Sequence, residues 1–447
     1  MTVLFGALLL AMIAALALEE KIHAKKSVII GVFAIVCLVL GEILGLIHTQ
    51  EVRILGHTLT LPVYVPAVDW GVIAIILGSS IFVDVTSKSG LFTWIAIKLT
   101  KASRGDPLYL LVAYGAMTVV FSAVLNNVTA MIIVGSLSGV SLEKLGRRDK
   151  LLGFLLVEGL LTNVGGLLTL ISSVPNILVG NAAGISFATF FLRASPFVVV
   201  ATAGTLFLGA KIFGIQRLAT EADRGEAAEL VASFDERDGM ESRFFFLFGA
   251  VMLALFIGVI AAASVPGWFL NDLGMGFVAL AFALVMLLRY KSTADRFYQA
   301  VDWDLLAFFA GLFVVINVME HAHVLEAIGR VLEWVIGLGD LGGTAAVLGS
   351  AAAFSSVTDN IPLAAMLAKI LAARETASDS PLWWSVIFGA NLGGNLTPIG
   401  SASTLVAVTI IHRYRLPLSF AGFVRYALPF AVGQLLLAAL YVLVFLR

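Results

Sequence analysis

The sequence predicts an all-α polytopic membrane protein with two inverted-topology repeats, each containing a re-entrant helical hairpin and a broken transmembrane helix. Of the 447 residues, 60% are hydrophobic and 13% are charged, whereas charged residues make up about a quarter of a soluble protein. Apolar runs of roughly 20 residues, long enough to cross a bilayer, follow one another nearly end to end. We therefore expect a multi-pass protein of the cell membrane, inner or plasma.

Matching residues at a constant spacing predict the duplication. Ser122 to Thr129 reads Ser-Ala-Val-Leu-Asn-Asn-Val-Thr, and Ser355 to Pro362, 233 positions later, reads Ser-Ser-Val-Thr-Asp-Asn-Ile-Pro. The same spacing relates three further pairs: Val68-Asp69-Trp70 with Val301-Asp302-Trp303, Ser186-Phe187 with Ser419-Phe420, and Pro196 with Pro429. A spacing of 228 relates two more: Asn163-Val-Gly-Gly with Asn391-Leu-Gly-Gly, and Thr169 with Thr397.

Repeat 1 is predicted to cover residues 65–210. Its segments are, in order, a span at about 69–85, an interfacial helix at 88–104, an uncharged hairpin at 107–142, an interrupted helix at 151–181 and a closing helix at 187–210. Glycine pairs and prolines unwind helices. Gly165, Gly166 and Pro175 therefore predict the interruption.

Repeat 2, residues 298–447, is predicted to follow the same order. Its segments are a span at 301–319, an amphipathic segment at 322–338, a hairpin centred on Asp359-Asn360, an interrupted helix at 383–411 and a closing helix at 418–446. Two helices, at about 2–18 and 28–47, occupy an N-terminal segment, 1–64, with a loop after them. A polar cytoplasmic linker, 211–243, and connecting helices in 244–297 join the repeats.

Basic residues give the orientation, because they concentrate on the cytoplasmic side of a membrane. The loops rich in Lys and Arg are 19–26, 88–104, 143–150, 211–243, 289–296 and 413–415. If each hairpin enters and leaves on the same side of the membrane, each repeat crosses the membrane three times. An odd number of crossings gives the second repeat the opposite orientation. Inverted copies are a recurring design of secondary transporters, with the solute site between them near the midplane. The charge pattern leaves open whether the hairpins re-enter or span fully.

Four polar clusters interrupt the apolar runs, and non-helical backbone at membrane depth is stable only against protein or a water-filled cavity. The clusters predict one small-solute site. Its candidate residues are Asn126, Asn127, Thr129, Thr169, Ser172, Ser173, Asn176, Asn360, Asn391, Asn395, Thr397, Ser401 and Thr404. None of the clusters contains Lys or Arg. An anion would therefore be held by amide and hydroxyl donors, helix N-termini or co-bound sodium.

Two carboxylates at membrane depth are candidates for proton or sodium coupling, because such residues are functional by default. Asp359 lies in the second hairpin, and Glu158 lies between Val157 and Gly159. The histidines show no metal-ligand spacing, and Cys37 is the only cysteine. No metal, cofactor or nucleic-acid partner is predicted. No combination of nucleophile, base and metal indicates an enzyme.

At these motifs the chain resembles the ion transporter superfamily, most closely the arsenite efflux permeases and the pink-eyed-dilution-type permeases. Sodium/proton antiporters and divalent anion/sodium symporters of that clan are more distantly similar. The similarity covers about residues 65–440. The matching stretches are Ser89 to Ala96, Leu125 to Ala130, Glu158 to Gly166, Pro175 to Gly180, Thr358 to Pro362 and Gly389 to Asn395.

The resemblance implies a transport domain with hairpin tips at Asn126-Asn127 and Asp359-Asn360, and helices unwound at 169–176 and 397–404. It implies that helices of 1–64 and 244–297 form a scaffold. It further implies a homodimer with an elevator motion, and an energising ATPase subunit as a partner. The related permeases have an Asp at one of the positions of Asn126 and Asn127, and Gly-Asp-Pro-Pro-Asn where Ser172 to Asn176 stand here. These changes leave Asp359 as the principal coupling candidate.

The first functional hypothesis is proton-coupled efflux of arsenite or antimonite. It rests on the family resemblance and on a charge-poor site, which suits a neutral oxyacid. Sodium/proton exchange through Asp359 and Glu158 is an alternative. Sodium-coupled symport of a dicarboxylate or other anion is another. A channel, which would conduct without a counter-ion, represents a different class.

Overall fold

The computed structural model describes residues 1–47, 50–54, 57–237, 239–263, 269–357 and 360–446. The N-terminal segment forms helices α1 (Thr2–Ala17), α2 (Glu19–Ile22) and α3 (Lys26–Ile43). Strands β1 (Gln50–Ile54) and β2 (His57–Leu61) then pair antiparallel. The sequence interpretation had placed a plain loop here. Both strands carry β-branched residues alternating with other types, a pattern typical of strands, and they form the only sheet in the described residues.

Repeat 1 has the predicted order of helices. Its elements are α4 (Trp70–Lys88), α5 (Leu91–Ala102), α6 (Pro107–Val124), α7 (Asn127–Lys144), α8 (Leu151–Gly165), α9 (Val174–Ala182) and α10 (Phe187–Ile212). Helices α6 and α7 form hairpin 1. Helices α8 and α9 are the two halves of the broken helix, separated by residues 166–173.

The linker contributes α11 (Glu221–Ala232), and the connecting segment contributes α12 (Arg243–Ala263), α13 (Phe269–Leu287) and the short α14 (Asp295–Ala300). Repeat 2 then has α15 (Trp303–His321), α16 (Val324–Ile336), α17 (Asp340–Ser355), α18 (Asn360–Ala373), α19 (Pro381–Gly393), α20 (Ala402–Arg413) and α21 (Phe420–Phe445). Hairpin 2 is α17 and α18, and α19 and α20 are its broken helix. The all-α fold with two such repeats is confirmed.

The first helix of each repeat begins in the same way. The Asp69 carboxylate accepts a hydrogen bond from the Val72 amide (3.1 Å), and the Asp302 carboxylate accepts one from the Leu305 amide (2.9 Å). Both contacts are N-caps, which satisfy amides that a helix leaves unpaired at its start. The duplicated Val-Asp-Trp motif is thus a helix start.

Each hairpin is tied to its own broken helix by equivalent hydrogen bonds. In repeat 1, Ser122 donates to the Thr162 carbonyl (2.6 Å), and Thr169 donates to the Ala123 carbonyl (2.6 Å). In repeat 2, the equivalent contacts are Ser355 to the Ala390 carbonyl (2.6 Å) and Thr397 to the Ser356 carbonyl (2.5 Å). The tip of each hairpin therefore lies at the break in the broken helix of its own repeat, as expected for a re-entrant hairpin.

The two repeats contact each other reciprocally. Helix α9 of repeat 1 packs on α18 and α19 of repeat 2, and α20 of repeat 2 packs on α7 and α8 of repeat 1. The first helices pack outside their repeats, α4 along α13 and α15 along α3. This exchange of equivalent contacts is what two inverted copies related by a two-fold axis produce.

Eight described helices are long and apolar enough to cross a membrane. Large apolar side chains also lie exposed on their outer surfaces, including Val32, Phe207, Phe244 and Leu436. An exposed apolar surface of this extent faces lipid in a polytopic protein. The protein is accordingly a multi-pass membrane protein.

The linker is held against the base of hairpin 1 by charge and by packing. Glu236 contacts Lys98 (2.7 Å) and Lys101 (3.2 Å) of α5, and the Lys144 ammonium lies 4.3 Å from the centre of the Phe234 ring. The hydrogen bond from Lys98, and after it the one from Lys101, holds the pKa of the Glu236 carboxyl below its ordinary value. The contact to the linker therefore persists at neutral pH.

Candidate functional site

A cavity of about 490 Å³ lies where the hairpin tips meet the broken helices. Its wall includes the first residues of four helices: Asn126 to Thr129 for α7, Ser173 to Pro175 and Ile177 for α9, Asn360 and Ile361 for α18, and Gly400 to Ser403 for α20. The faces of α4 and α15 complete it. Each N-terminus places the partial positive charge of its helix at the cavity.

Short polar residues set where these helices begin. The Asn126 side chain accepts from the Thr129 amide (2.7 Å), and the Ser401 hydroxyl accepts from the Thr404 amide (3.2 Å). Asn and Ser are favoured N-caps for this reason. Ser173 also precedes a helix start, but its hydroxyl donates to the side-chain oxygen of Asn391 (2.6 Å).

Asn163, at the end of α8, joins the two repeats. Its amide nitrogen donates to the Asn395 side-chain oxygen (2.8 Å) and the Ser401 hydroxyl (2.9 Å). Its oxygen accepts from Ser403 (3.2 Å) and from Asn127 (3.4 Å). Asn163 is 1% exposed. A buried amide with its donors and acceptors used in this way fixes the relative position of its partners.

Asn391 is the equivalent residue of repeat 2 and has the equivalent role. Its oxygen accepts from Ser173, which stands 228 positions before Ser401, and its nitrogen donates to the Asn176 side chain (2.9 Å). The nitrogen also donates to the Ile387 carbonyl (2.8 Å). The repeats are therefore joined by two related sets of hydrogen bonds, one on each side of the cavity.

The network continues into the closing helices, where the sequence interpretation named no site residue. Asn395 donates to the Gln434 side chain (2.8 Å), and Gln434 donates to the Thr205 hydroxyl (2.9 Å). All three side chains are buried. Gln434 and Thr205 could have been recognised from the sequence as single polar residues in long apolar helices, because a buried polar group requires a hydrogen-bond partner.

The structure brings seven of the predicted solute-binding residues to the cavity wall: Asn126, Asn127, Thr129, Ser172, Ser173, Asn360 and Ser401. The other six lie behind the wall and hydrogen-bond to backbone or to one another: Thr169, Asn176, Asn391, Asn395, Thr397 and Thr404. Asp359 lies outside the described residues.

Several residues of the wall were absent from the sequence-based set. Asn163 and Ser403 come from the predicted clusters, whereas Ser79 and Ser80 come from α4, and Lys26, Asp302 and Asp304 come from the starts of α3 and α15. Asp304 accepts a hydrogen bond from the Ser27 hydroxyl (2.5 Å). Lys26 is the only basic residue in the described wall. No local pattern predicts it, because it reaches the cavity through the packing of α3 along α15.

Glu158 lies apart from the cavity, inside the packing of α7 against α8. The side chain is fully buried, and the Ser138 hydroxyl donates to its Oε1. Its Oε2 has no hydrogen-bond partner. Within the part of the chain that the structure describes, no group of three or more His, Cys, Asp or Glu residues is placed to hold a metal ion.

Residues 13–389 match a family model described as citrate transporter. An uncharacterized transporter of Mycobacterium tuberculosis is 30% identical over 382 residues, which cover 84% of this chain and 86% of the relative. An uncharacterized transporter of Synechocystis is 25% identical over 446 residues, covering 92% and 96%. The human P protein is 23% identical over 512 residues, covering 95% of this chain and 60% of its own length. These matches confirm the resemblance drawn from the motifs.

Two solved structures share the fold. The YdaH transporter of Alcanivorax borkumensis superposes with a TM-score of 0.60 at 13% identity, covering 94% of this chain and 98% of that one. MtrF of Neisseria gonorrhoeae, one of a class of antimetabolite efflux pumps, gives 0.51 at 12% identity, covering 94% and 95%. At these identities the likeness concerns the fold alone.

Proposed function

This chain belongs to the citrate transporter family, and from that premise we propose that it is a secondary active transporter of a small carboxylate anion. One observation carries the proposal: the N-termini of α7, α9, α18 and α20 converge on one cavity. A helix N-terminus carries about half a positive charge and offers free amides, which together form a site for an anion. Four such termini favour a solute with more than one carboxylate.

The side chains of the wall support the same solute class. Amide nitrogens of Asn126 and Asn360 and hydroxyls of Thr129 and Ser401 can donate to carboxylate oxygens. Lys26 adds a positive charge to the wall and lies 3.7 Å from Glu19, while Asp302 and Asp304 place two carboxylates at the start of α15. The helix N-termini, and not the net charge of the side chains, therefore carry the attraction for an anion. A volume of about 490 Å³ lies within the usual range of small-molecule sites, about 300–1,000 Å³. It leaves room for a citrate-sized anion with some water.

The proposed transport cycle moves the site between the two sides of the membrane. The cavity wall includes the starts of α3 and α15, the ends that the basic loops assign to the cytoplasm, so this conformation faces the cytoplasm. In support, α4 and α15 line the cavity together with the hairpins and broken helices but pack most extensively on α13 and α3. We assign the hairpins and broken helices to a moving transport domain. Helices α3, α12 and α13 form the scaffold, within a homodimer and an elevator-type cycle.

Replacing Asp359 by Asn is expected to lower gradient-driven solute accumulation at least about tenfold, equivalent to about 1.4 kcal/mol. Asp359 is a carboxylate in an apolar hairpin, next to Asn360 of the cavity wall, and we propose that it binds the coupling proton or sodium ion. Uptake into proteoliposomes under imposed gradients measures the effect. Asp379→Asn, at an exposed loop position, is the control. Accumulation by Asp359→Asn equal to that of the control would remove Asp359 from the coupling mechanism.

Arsenite or antimonite efflux is the competing proposal, with an energising ATPase as its possible associate. The uncharged amides and hydroxyls around Asn163 suit a neutral oxyacid, but a neutral solute gives the four helix N-termini no charge to bind. Sodium/proton exchange, the third proposal, needs no organic solute.

Purified protein in proteoliposomes separates these functions. We expect uptake of radiolabelled citrate or a smaller dicarboxylate, driven by a proton or sodium gradient and competed by other carboxylates. Arsenite transport without any carboxylate transport would contradict the anion proposal and favour efflux of the neutral oxyacid. Sodium or lithium movement that dissipates a pH gradient, with no solute required, would favour the exchanger.

A further inference from the structure

Glu158 is the most completely buried carboxylate in the described structure, and no cation accompanies it. Its side chain is 0% exposed, Ser138 donates to one oxygen, and the other oxygen has no partner. Taking a lone carboxylate out of water without a partner costs several kcal/mol. An isolated charge is therefore strongly disfavoured at this position, whereas the neutral acid is readily accommodated.

The helices around α8 bring no charge to Glu158. Those that pack on it are α6, α7, α10, α19, α20 and α21, with the turn at Arg148–Lys150. Tyr114 of α6 is the buried titratable group nearby. The remaining titratable residues of these elements lie towards their ends or at the surface, and none pairs with Glu158: Tyr109, Glu143, Lys144, Arg148, Asp149, Lys150, Arg193, Lys211, His412, Arg413, Arg425, Tyr426 and Tyr441.

A row of buried hydroxyls leads from this region towards the interfacial helix α5. The Tyr114 hydroxyl lies 2.7 Å from the Ser141 hydroxyl and 2.6 Å from the Thr100 hydroxyl. Ser141 is one turn beyond Ser138 on the same face of α7. All four side chains are 0% exposed. Hydroxyls both donate and accept, so the hydrogen-bonded hydroxyls of Thr100, Tyr114 and Ser141 can pass a proton among themselves.

We infer that Glu158 and Ser138 form a proton-binding site separate from the solute cavity, one helical turn from the hydrogen-bonded hydroxyls of Thr100, Tyr114 and Ser141. Glu158 lies five residues before Asn163 on α8, which is about 7.5 Å along the helix. At that separation a charge on Glu158 repels an anion in the cavity, because the intervening protein screens poorly. The protonated acid removes that repulsion.

Because a neutral Glu158 does not repel an anion, the wild-type protein is expected to bind a carboxylate anion more tightly at low pH. Its affinity falls as rising pH removes the proton from Glu158. This part of the inference rests on the proposed anion substrate. The presence of a protonated acid at position 158 is independent of the substrate.

Infrared difference spectroscopy tests the site without any solute. The wild-type protein should show the carbonyl stretch of a protonated carboxylic acid, which Glu158→Gln abolishes and Ser138→Ala shifts, since its hydrogen bond is lost. Glu143→Gln, at an exposed position of α7, should leave the band in place. The contribution of Glu158 is the part of the acid-carbonyl absorption that is lost in Glu158→Gln. An absorption unchanged by Glu158→Gln, or no band in wild type, overturns the inference. Ser138→Ala keeps the test available if Glu158→Gln does not fold.

Citrate binding across a pH series tests the coupling. We expect wild-type affinity, corrected for the ionisation of citrate itself, to fall at least tenfold from acidic to alkaline pH, and Glu158→Gln to reduce this fall. A pH dependence unchanged by Glu158→Gln overturns the coupling between the two sites. If no carboxylate binds at any pH while the infrared band behaves as expected, the proposed substrate fails and the proton site stands.

Discussion

Replacing Gly393 by Ala is expected to displace hairpin 2 from its broken helix. A Cβ atom at this position would lie 2.4 Å from the Ala352 carbonyl oxygen and 2.7 Å from its Cα. Backbone atoms cannot rotate away, and overpacking of this kind typically costs about 1–3 kcal/mol. Alanine gains only about 1 kcal/mol in helix propensity. We therefore expect a lower thermal unfolding temperature and a loss of solute binding, measured on purified protein.

Gly165 is the equivalent glycine of repeat 1 and provides an independent test. Its Cβ would lie 2.7 Å from the Cα and the carbonyl oxygen of Val119, so Gly165→Ala is expected to have the same effect on hairpin 1. Gly349→Ala and Gly433→Ala are matched controls, since nothing lies within 4 Å of either added atom. If the two pairs of variants were equally stable, the close seating of the hairpins would be wrong.

Asn163→Leu is expected to reduce transport by about 100-fold or more. The side chain has four polar partners, two of them in α20 or its cap, and leucine has a similar shape but no hydrogen bonds. A buried partner left unpaired costs about 1–3 kcal/mol, and two such losses correspond to about 100-fold or more. Initial rates of citrate uptake, at matched amounts of folded protein, measure the effect.

Asn317→Leu provides the control for that substitution. The Asn317 side-chain oxygen is buried without a hydrogen-bond partner, so leucine there removes an unsatisfied group and is expected to be neutral or stabilising. Asn391→Leu should behave like Asn163→Leu, because Asn391 joins the repeats at the equivalent position. Full transport by both Asn163→Leu and Asn391→Leu would show that the contacts between repeats do not shape the site.

The repeat pattern of the sequence was sufficient to predict the architecture of the membrane domain. The spacing that relates Ser122 to Ser355 also relates their hydrogen bonds in the structure, because each serine follows the same kind of hairpin arm. The glycine pairs also predicted the positions of the helix breaks correctly, and the structure shows a steric reason for these glycines. Gly165 and Gly393 lie where two backbones approach too closely for a side chain.

The direction of each polar side chain could not be predicted. Thr169 and Thr397 lie in the breaks as expected, yet their hydroxyls donate to hairpin carbonyls and not into the cavity. Lys26 was missed because α3 lies outside both repeats and its start reaches the wall only through long-range packing. A sequence can show that a polar residue must be satisfied at membrane depth. The packed structure determines the partner.

We propose that both repeats contribute to one anion site, and cysteine protection tests this proposal most directly. In a Cys37→Ala background, which removes the only native thiol, Thr129→Cys of repeat 1 and Ser401→Cys of repeat 2 each place one thiol at the cavity. Ser233→Cys, exposed on the linker, is the control. We expect citrate to slow maleimide labelling of both cavity cysteines with the same half-maximal concentration, and to leave the control unchanged. Protection of one position without the other, or of neither, would contradict a shared site.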